Sequence, residues 1–241
     1  MNYIKQTQST NQLLRDLLRK TNLPEGYVIR TDFQTAGKGQ PGNSWESETG
    51  KNLLFSILLY PEHISLNEHF IISQLVSLSI INALNEFAEG FSIKWPNDIY
   101  YFDKKIAGIL IENSLQGAHI KSSVIGIGLN INQKAFVSNA PNPISLCCIT
   151  GKRMARKPIL NKICKNIQEL YSLGNAELIR KMYFEKLYRN SGFYPYKDET
   201  GLFEAKIKSV QPDGKLELIT RQGETRSFYF KEVSFVNPNE K

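Results

Sequence analysis

Lysines set among glycines are the residues of this chain best suited to chemistry on an anionic substrate. The segment Thr35 to Trp45, T-A-G-K-G-Q-P-G-N-S-W, holds three glycines, Lys38 and a terminal tryptophan. Its backbone N–H groups, unobstructed by side chains, are of the kind that binds phosphate oxygens. Lys38 adds a charge, and Trp45 a flat surface able to cover a base or an acyl chain. The G-x-x-x-x-G-K-[ST] spacing of a Walker A loop is absent. The segment reads either as a ligand-ordered lid or as a plain surface loop.

A second group is Lys94-Trp95-Pro96-Asn97-Asp98, followed by Lys105-Ile106-Ala107-Gly108. Pro96-Asn97-Asp98 forms a turn, so Lys94, Asn97 and Asp98 can project to one rim while Trp95 enters the core. Lys105 opens a strand that is otherwise apolar through Ile111. A buried lysine needs an anionic partner; the alternative is a turn-end lysine in solvent. Strict strand alternation puts Lys105 and Gly108 on opposite faces, leaving Gly108 to act by letting something approach its backbone. A third group, Gly126-Ile127-Gly128-Leu129-Asn130-Ile131-Asn132, sets glycines inside a strand. That weakens the strand unless a ligand or another backbone comes close, a bulge being the alternative. His63, His69 and His119 are scattered and pair with no cysteine at metal-ligand spacing. Neither a dedicated metal site nor a histidine base is expected.

The elements that position these groups follow from periodicity. Ser9 caps a helix, with Gln12 three residues on as in a capping box; Leu13, Leu14, Leu17 and Leu18 form its apolar face. Strands are expected at Tyr27–Asp32, Asn52–Tyr60, Ser92–Trp95 continuing into Ile99–Phe102, Lys105–Asn113 and His119–Ile131, with a turn at Asp103-Lys104. A long helix over Asn67–Glu89 presents Ile71, Ile72, Leu75, Val76 and Leu78 to the core. Pro158 sits in the first turn of a helix ending near Gly174, and another helix spans Ala176–Tyr188. The fold class is α+β, a mostly antiparallel sheet with helices packed on one side. From Gly201 short alternating segments (Phe203, Ala205, Ile207; Leu216, Leu218; Phe228, Phe230) and the turn Pro212-Asp213-Gly214 read as a small SH3-like β-barrel. This divides the chain into units over residues 1–194 and 195–241.

The 241 residues are 41% hydrophobic, with three cysteines, two of them adjacent, and a net charge of +7. There is no disulfide framework, no apolar run of membrane-spanning length and no signal-peptide core, so a cytoplasmic protein is expected. The positive charge permits anionic small molecules, an acidic protein or nucleic acid as partners. The cluster Lys152, Arg153, Arg156 and Lys157 reads as solvated surface.

The order and spacing of these groups resemble the biotin protein ligases. Ser9-Thr10-Asn11 is similar to that family's S-T-N element, Thr35–Trp45 to its G-R-G-R-x-G-R-x-W loop, and Lys94–Asp98 to its K-W-P-N-D. Lys105–Gly108 is similar to K-x-A-G, and Gly126–Asn130 to G-x-G-x-N. The resemblance implies a class II synthetase-like core. It implies an enzyme that joins biotin to ATP with Mg²⁺, giving biotinyl-5′-AMP and pyrophosphate, and then passes biotin to a lysine of a biotin carboxyl carrier domain. Ser9, Thr10, Asn11 and Gln34 would line the biotin ring site. Gly37, Lys38, Gly39 and Gln40 would fold over the ligand, Lys105 would hold the biotin carboxylate and α-phosphate together, and Gly108 and Gly128 would leave backbone room. Gln40, Asn43, Ser44, Trp45, Lys94, Asn97 and Asn130 would surround the adenylate. Lys105, Lys38 and Asp98 form the implied catalytic set, Asp98 orienting an amine or standing near magnesium.

The chain departs from the pattern in the loop. Lys38, Gln40 and Asn43 stand where arginine is common, which removes bidentate forks and charge and implies a weaker electrostatic hold on the acyl-adenylate. Eight residues precede Ser9, too few for the DNA-binding domain of some relatives. The expected partner is a carrier domain, without DNA or membrane, the enzyme being a monomer or homodimer. Two other readings share features with this one. They are a lipoate- or octanoate-transferring relative, and a basic nucleic-acid-binding protein whose Phe228, Tyr229 and Phe230 stack on bases.

Overall fold

The computed structural model describes residues 1–137 and 142–236. In chain order the first part holds β1 (Asn2–Thr7), α1 (Thr10–Leu18), β2 (Val28–Gln34), β3 (Leu53–Leu59), α2 (Phe70–Leu84), β4 (Phe91–Lys94), β5 (Asp98–Tyr101), β6 (Lys104–Gln116) and β7 (His119–Leu129). Then come α3 (Leu146–Thr150), α4 (Arg156–Leu173), α5 (Ala176–Glu185), β8 (Tyr194–Asp198), β9 (Gly201–Val210), β10 (Leu216–Thr220), β11 (Thr225–Phe228) and β12 (Ser234–Phe235). Seven strands form one sheet in the order β1-β2-β3-β7-β6-β5-β4. Every neighbour is antiparallel except β1 and β2, which run parallel. The α+β class is borne out. β1 was not anticipated, because this polar edge strand is largely exposed and carries no apolar alternation.

The apolar run of β3 is buried at every position, so both of its faces need cover. Leu53, Phe55, Ile57 and Leu59 join the main core with α2, α4 and α5. Leu58 joins Ile29, Val124 and Leu14 of α1 in a second, smaller core. Helices therefore flank both faces, not one as expected: α1 lies opposite the others and covers the outward side of β2, β3 and β7. The central helix is shorter than expected. Leu66–Glu68 forms a single 3₁₀ turn capped by Ser65, and α2 ends at Leu84, with Asn85 as its C-cap. Likewise α5 stops at Glu185, because the following residues pair with β4: Ile93 N–H donates to Lys186 O and Tyr188 N–H to Ile93 O, both at 2.8 Å.

The C-terminal strands form an antiparallel sheet in the order β11-β10-β9-β8-β12. β11 and β12, its two ends, do not pair with each other among the described residues. Tyr196, Ala205, Ile207, Leu216 and Leu218 alternate inward as its core. It docks through Trp95, which is buried as expected and donates from Nε1 to Gly214 O at 2.8 Å. Phe235 packs on Tyr188 and Tyr196 at this junction.

Arg156 is not a solvated member of a basic cluster. Its Nη2 donates to Asp32 Oδ1 at 2.9 Å and its Nη1 to Asn52 O at 3.0 Å, while Tyr3 Oη donates to Asp32 Oδ2. Asp32 thus ties β1, β2 and α4 together. Partial burial favours its neutral acid, but the bonds from Tyr3 and Arg156 outweigh that and hold its carboxyl below the usual range. A depressed carboxyl contributes stability that is present above about pH 4 and lost as pH falls through the folded value. Asp32→Asn is expected to lower stability at pH 7 by about 1 kcal/mol and to flatten the acid limb of Tm against pH; an unchanged acid limb would contradict the assignment.

Candidate active site

The glycines of β6 and β7 belong to one face. In the register, Gly108 lies opposite Gly128, Leu110 opposite Gly126, and Glu112 opposite Val124. Ile125, Ile127 and Leu129 point to the main core, so Gly126 and Gly128 point to the side of α1. A Cβ at Gly126 would fall 2.4 Å from Asn11 Oδ1; one at Gly128 would fall 2.4 Å from Trp45 Cε2; one at Gly108, 3.0 Å from Trp45 Cζ3. Close approach, rather than a bulge, explains these glycines.

A bulge does occur in β6, on its β5 side, and it decides the site. Asp98 faces Gly108 and Ile99 faces Ala107, but Tyr100 faces Lys105, so Ile106 is an extra residue on β6. Ile106 and Ala107 both enter the main core. The slip reverses the side of everything before it. Lys105 therefore lines the same cavity as Gly108, not the opposite face that strict alternation requires. Lys105 Nζ lies 2.7 Å from Asp98 Oδ1, with both side chains mostly buried. The anionic partner that a buried lysine needs is thus present within the site.

The start of α1 is clamped from below. Ser9 Oγ accepts from Gln12 N–H at 3.5 Å. The Gln12 side chain turns to Asp16 and Arg15 instead of reaching back, so only half of the capping box forms. Thr10 N–H and Oγ1 both donate to Gln34 Oε1, at 2.8 and 3.1 Å. Ser56 Oγ lies 2.7 Å from Thr10 Oγ1 and 2.6 Å from Asn11 Oδ1. Asn11 Nδ2 donates to Leu110 O and Glu112 Oε2, and Glu112 Oε1 pairs with Arg15. Sequence reasoning missed Ser56 and Glu112. The signals were there: one hydroxyl inside L-L-F-S-I-L-L, and one carboxylate closing the apolar run of β6.

The glycine segment folds as a small hairpin, closed by a bridge between Lys38 and Ser44. Gly39 N–H donates to Asn43 O at 2.9 Å and Trp45 N–H to Gly37 O at 3.0 Å. Gly37 lies beneath the hairpin, with Trp45 O 2.7 Å from where its Cβ would stand, and does not line the cavity. The Trp45 indole rests on the floor made by Gly108 and Gly128, and its Nε1 is buried without a partner among the described residues. From the turn, Asn97 Nδ2 donates to Ile109 O at 2.6 Å. Lys94 Nζ donates to Tyr100 Oη and lies over the Tyr100 and Phe235 rings. Asn130 stands apart from the other expected residues. It is buried behind the site, with Nδ2 donating to Ile144 O.

Ser9, Thr10, Asn11, Gln34, Lys38, Gly39, Gln40, Asn43, Ser44, Trp45, Lys94, Asn97, Asp98, Lys105, Gly108 and Gly128 surround one cavity of about 450 Å³, a size that suits a small-molecule ligand. Gly126, Leu110 and the C-terminal residues Phe230, Lys231, Val233, Ser234 and Phe235 are among the others that line it. No local signal tied that last segment to the site, since only tertiary docking brings it there. Among the described residues, the charged groups lining the cavity are Lys38, Lys94, Lys105, Lys231 and Asp98. Four cations against one carboxylate suit an anionic ligand, while the hydroxyls and amides around Thr10 suit a neutral hydrogen-bonding ring. No cluster of three or more His, Cys, Asp or Glu residues able to hold a metal occurs among the described residues.

Comparison with known proteins points the same way. The Biotin/lipoate A/B protein ligase family matches residues 3–130. The bifunctional ligase/repressor BirA of Bacillus spizizenii is 28% identical over 242 residues, covering 89% of this chain and 68% of that one. The human biotin–protein ligase is 33% identical over 131 residues, covering 52% of this chain and 18% of that one. Among solved structures, a biotin protein ligase from Aquifex aeolicus in complex with biotin and ATP superposes with a TM-score of 0.78 at 28% identity, covering 97% of both chains. The matched residues run from β1 to the end of β7 and so contain α1, the glycine hairpin, the Lys105–Asp98 pair and the glycine floor: the chain belongs to the Biotin/lipoate A/B protein ligase family.

Proposed function

We propose that this chain is a biotin protein ligase. It activates biotin with ATP to biotinyl-5′-AMP, then transfers biotin to a lysine of a biotin carboxyl carrier domain. The observation that carries this reading is the Lys105–Asp98 pair beside the glycine floor, between the polar pocket of Thr10, Asn11 and Gln34 and a rim of lysines. In the first step the biotin carboxylate oxygen attacks the α-phosphorus and the bond to pyrophosphate breaks. A carboxylic acid of ordinary pKa, about 4.3, is already ionised. The obstacle is repulsion between two anions, which Lys105 and Lys38 relieve where the charges meet. Magnesium would arrive with ATP and offset phosphate charge, and Asp98, the one carboxylate lining the cavity among the described residues, is the residue that would stand near it. In the second step the carrier amine, with an ordinary pKa of about 10.4, gives up a proton and attacks the acyl carbon. We assign that proton to an aspartate, Asp98, or to the departing phosphate; the bond from the acyl carbon to the phosphate breaks and AMP leaves. We assign the adenylation chemistry to residues 1–194 and treat 195–241 as a second domain. A need for ATP, and cysteines that form no disulfide, support a cytoplasmic location.

The test is ATP-dependent pyrophosphate release with biotin or lipoate as the acid, followed by transfer of labelled biotin to a carrier domain. Release with biotin alone, and transfer, is expected; release with lipoate alone, or with neither, overturns the reading. The neutral side chains of Gln40 and Asn43 imply a loose grip on the acyl-adenylate. Gln40→Arg, which adds a charge-assisted contact, is expected to slow biotinyl-AMP dissociation about tenfold; a faster rate in that variant would contradict the argument.

A further inference from the structure

The turn after β11 does more than complete a sheet. Tyr229 N–H donates to Glu232 Oε2 and Glu232 N–H to Tyr229 O, closing the turn from both sides. Lys231 within it takes a φ of +74°, a left-handed conformation that a lysine rarely adopts and that costs about 1 kcal/mol. A turn held this firmly in a costly conformation aims its side chain. Lys231 Nζ donates to Pro41 O at 2.6 Å, at the tip of the glycine hairpin and 190 positions away in the chain. The hairpin's own bonds, Gly39 to Asn43, Asn43 to Gln40 and Trp45 to Gly37, are internal, so Lys231 ties the tip to a part of the chain outside the hairpin. Lys231 also lines the cavity and brings a second ammonium to a hairpin whose own cation is Lys38.

We propose that Lys231 is a positioning residue, latching the tip of the glycine hairpin to the C-terminal sheet so that closure of the cavity depends on both parts of the chain. Its effect on catalysis rests on the function proposed above; the latch itself does not. A guanidinium can donate to the same carbonyl, whereas an apolar chain of similar length has no donor to offer.

The test uses the full chain without ligand. Millisecond hydrogen–deuterium exchange is compared in the unaltered protein, Lys231→Met and Lys231→Arg. The amides of residues 37–45 are expected to exchange about five times faster in Lys231→Met, with β2, β3, β9 and β10 unchanged, and to return toward the original rate in Lys231→Arg. Unchanged exchange of residues 37–45 overturns the latch. So does acceleration that spreads through β9 and β10, which would make Lys231 a support of its own sheet. With ligand, biotinyl-AMP is expected to dissociate about five times faster from Lys231→Met; an unchanged rate despite a loosened hairpin overturns the link to closure. A chain that forms no biotinyl-AMP refutes the proposed function and leaves the exchange result standing.

Discussion

Lys105→Ala is expected to lower biotin-dependent pyrophosphate release at least about a hundredfold, leaving the fold intact. Lys105 is placed by two long-range constraints. The bulge at Ile106 turns it to the cavity side of β6, and the chain at Asn142 to Ile144 pins its backbone, Lys105 N–H donating to Asn142 O and Ile144 N–H to Lys105 O. Its ammonium meets the Asp98 carboxylate at 2.7 Å. In the ligand-free protein that pair keeps both charges from being buried alone. Removing the lysine leaves Asp98 as an unmatched negative charge where a carboxylate and a phosphate must converge, so the loss exceeds that of one contact. Lys105→Ala with Asp98→Asn separates the terms: the second change should recover part of the ATP affinity and little of the turnover. Pyrophosphate release near the original rate in Lys105→Ala would remove Lys105 from the reaction.

Gly126→Ala is expected to cost about 2 kcal/mol of stability and to weaken biotin binding more than about tenfold. The objection to a methyl group is steric, since this glycine does not occupy the left-handed region. The new carbon would stand 2.4 Å from Asn11 Oδ1, and Asn11 has nowhere to go. Ser56 holds its oxygen, while Leu110 O and Glu112 hold its nitrogen. Gly128→Ala makes a useful comparison. Its new carbon would meet the Trp45 ring, whose Nε1 has no hydrogen-bond partner among the described residues to hold it in place. Stability should therefore fall less at Gly128 than at Gly126, although both variants lose activity. Thermal unfolding together with biotin titration distinguishes them, and equal stability losses would mean that Asn11 is not clamped.

Much of the site was legible because its signals are local. A capping serine, glycines in a strand, a proline-asparagine turn and a lysine opening an apolar run each announce themselves within a few residues. Their family-like order then tied them together. The supports were harder to read. Ser56 and Glu112 are ordinary residues whose importance comes from what faces them across the sheet. Arg156 read as solvated surface because Asp32, its partner, lies 124 positions earlier. The helix end at Glu185 was set by the pairing of Lys186 and Tyr188 with Ile93, beyond the reach of periodicity.

Alternation and turn signals were enough to indicate an α+β chain, and the order of its motifs gave the resemblance to a ligase family, the residues of its glycine loop and an anionic ligand. Three-dimensional packing alone settled three things. It put α1 on the second face of the sheet, it turned Lys105 toward Gly108 by one extra residue in β6, and it brought Lys231 to the hairpin's tip. The physical reason is common to all three. Strand register, helix docking and contact between distant segments are chosen by the free energy of the whole packed assembly. A bulge or a docked turn leaves almost no trace in the short-range propensities from which a sequence can be read.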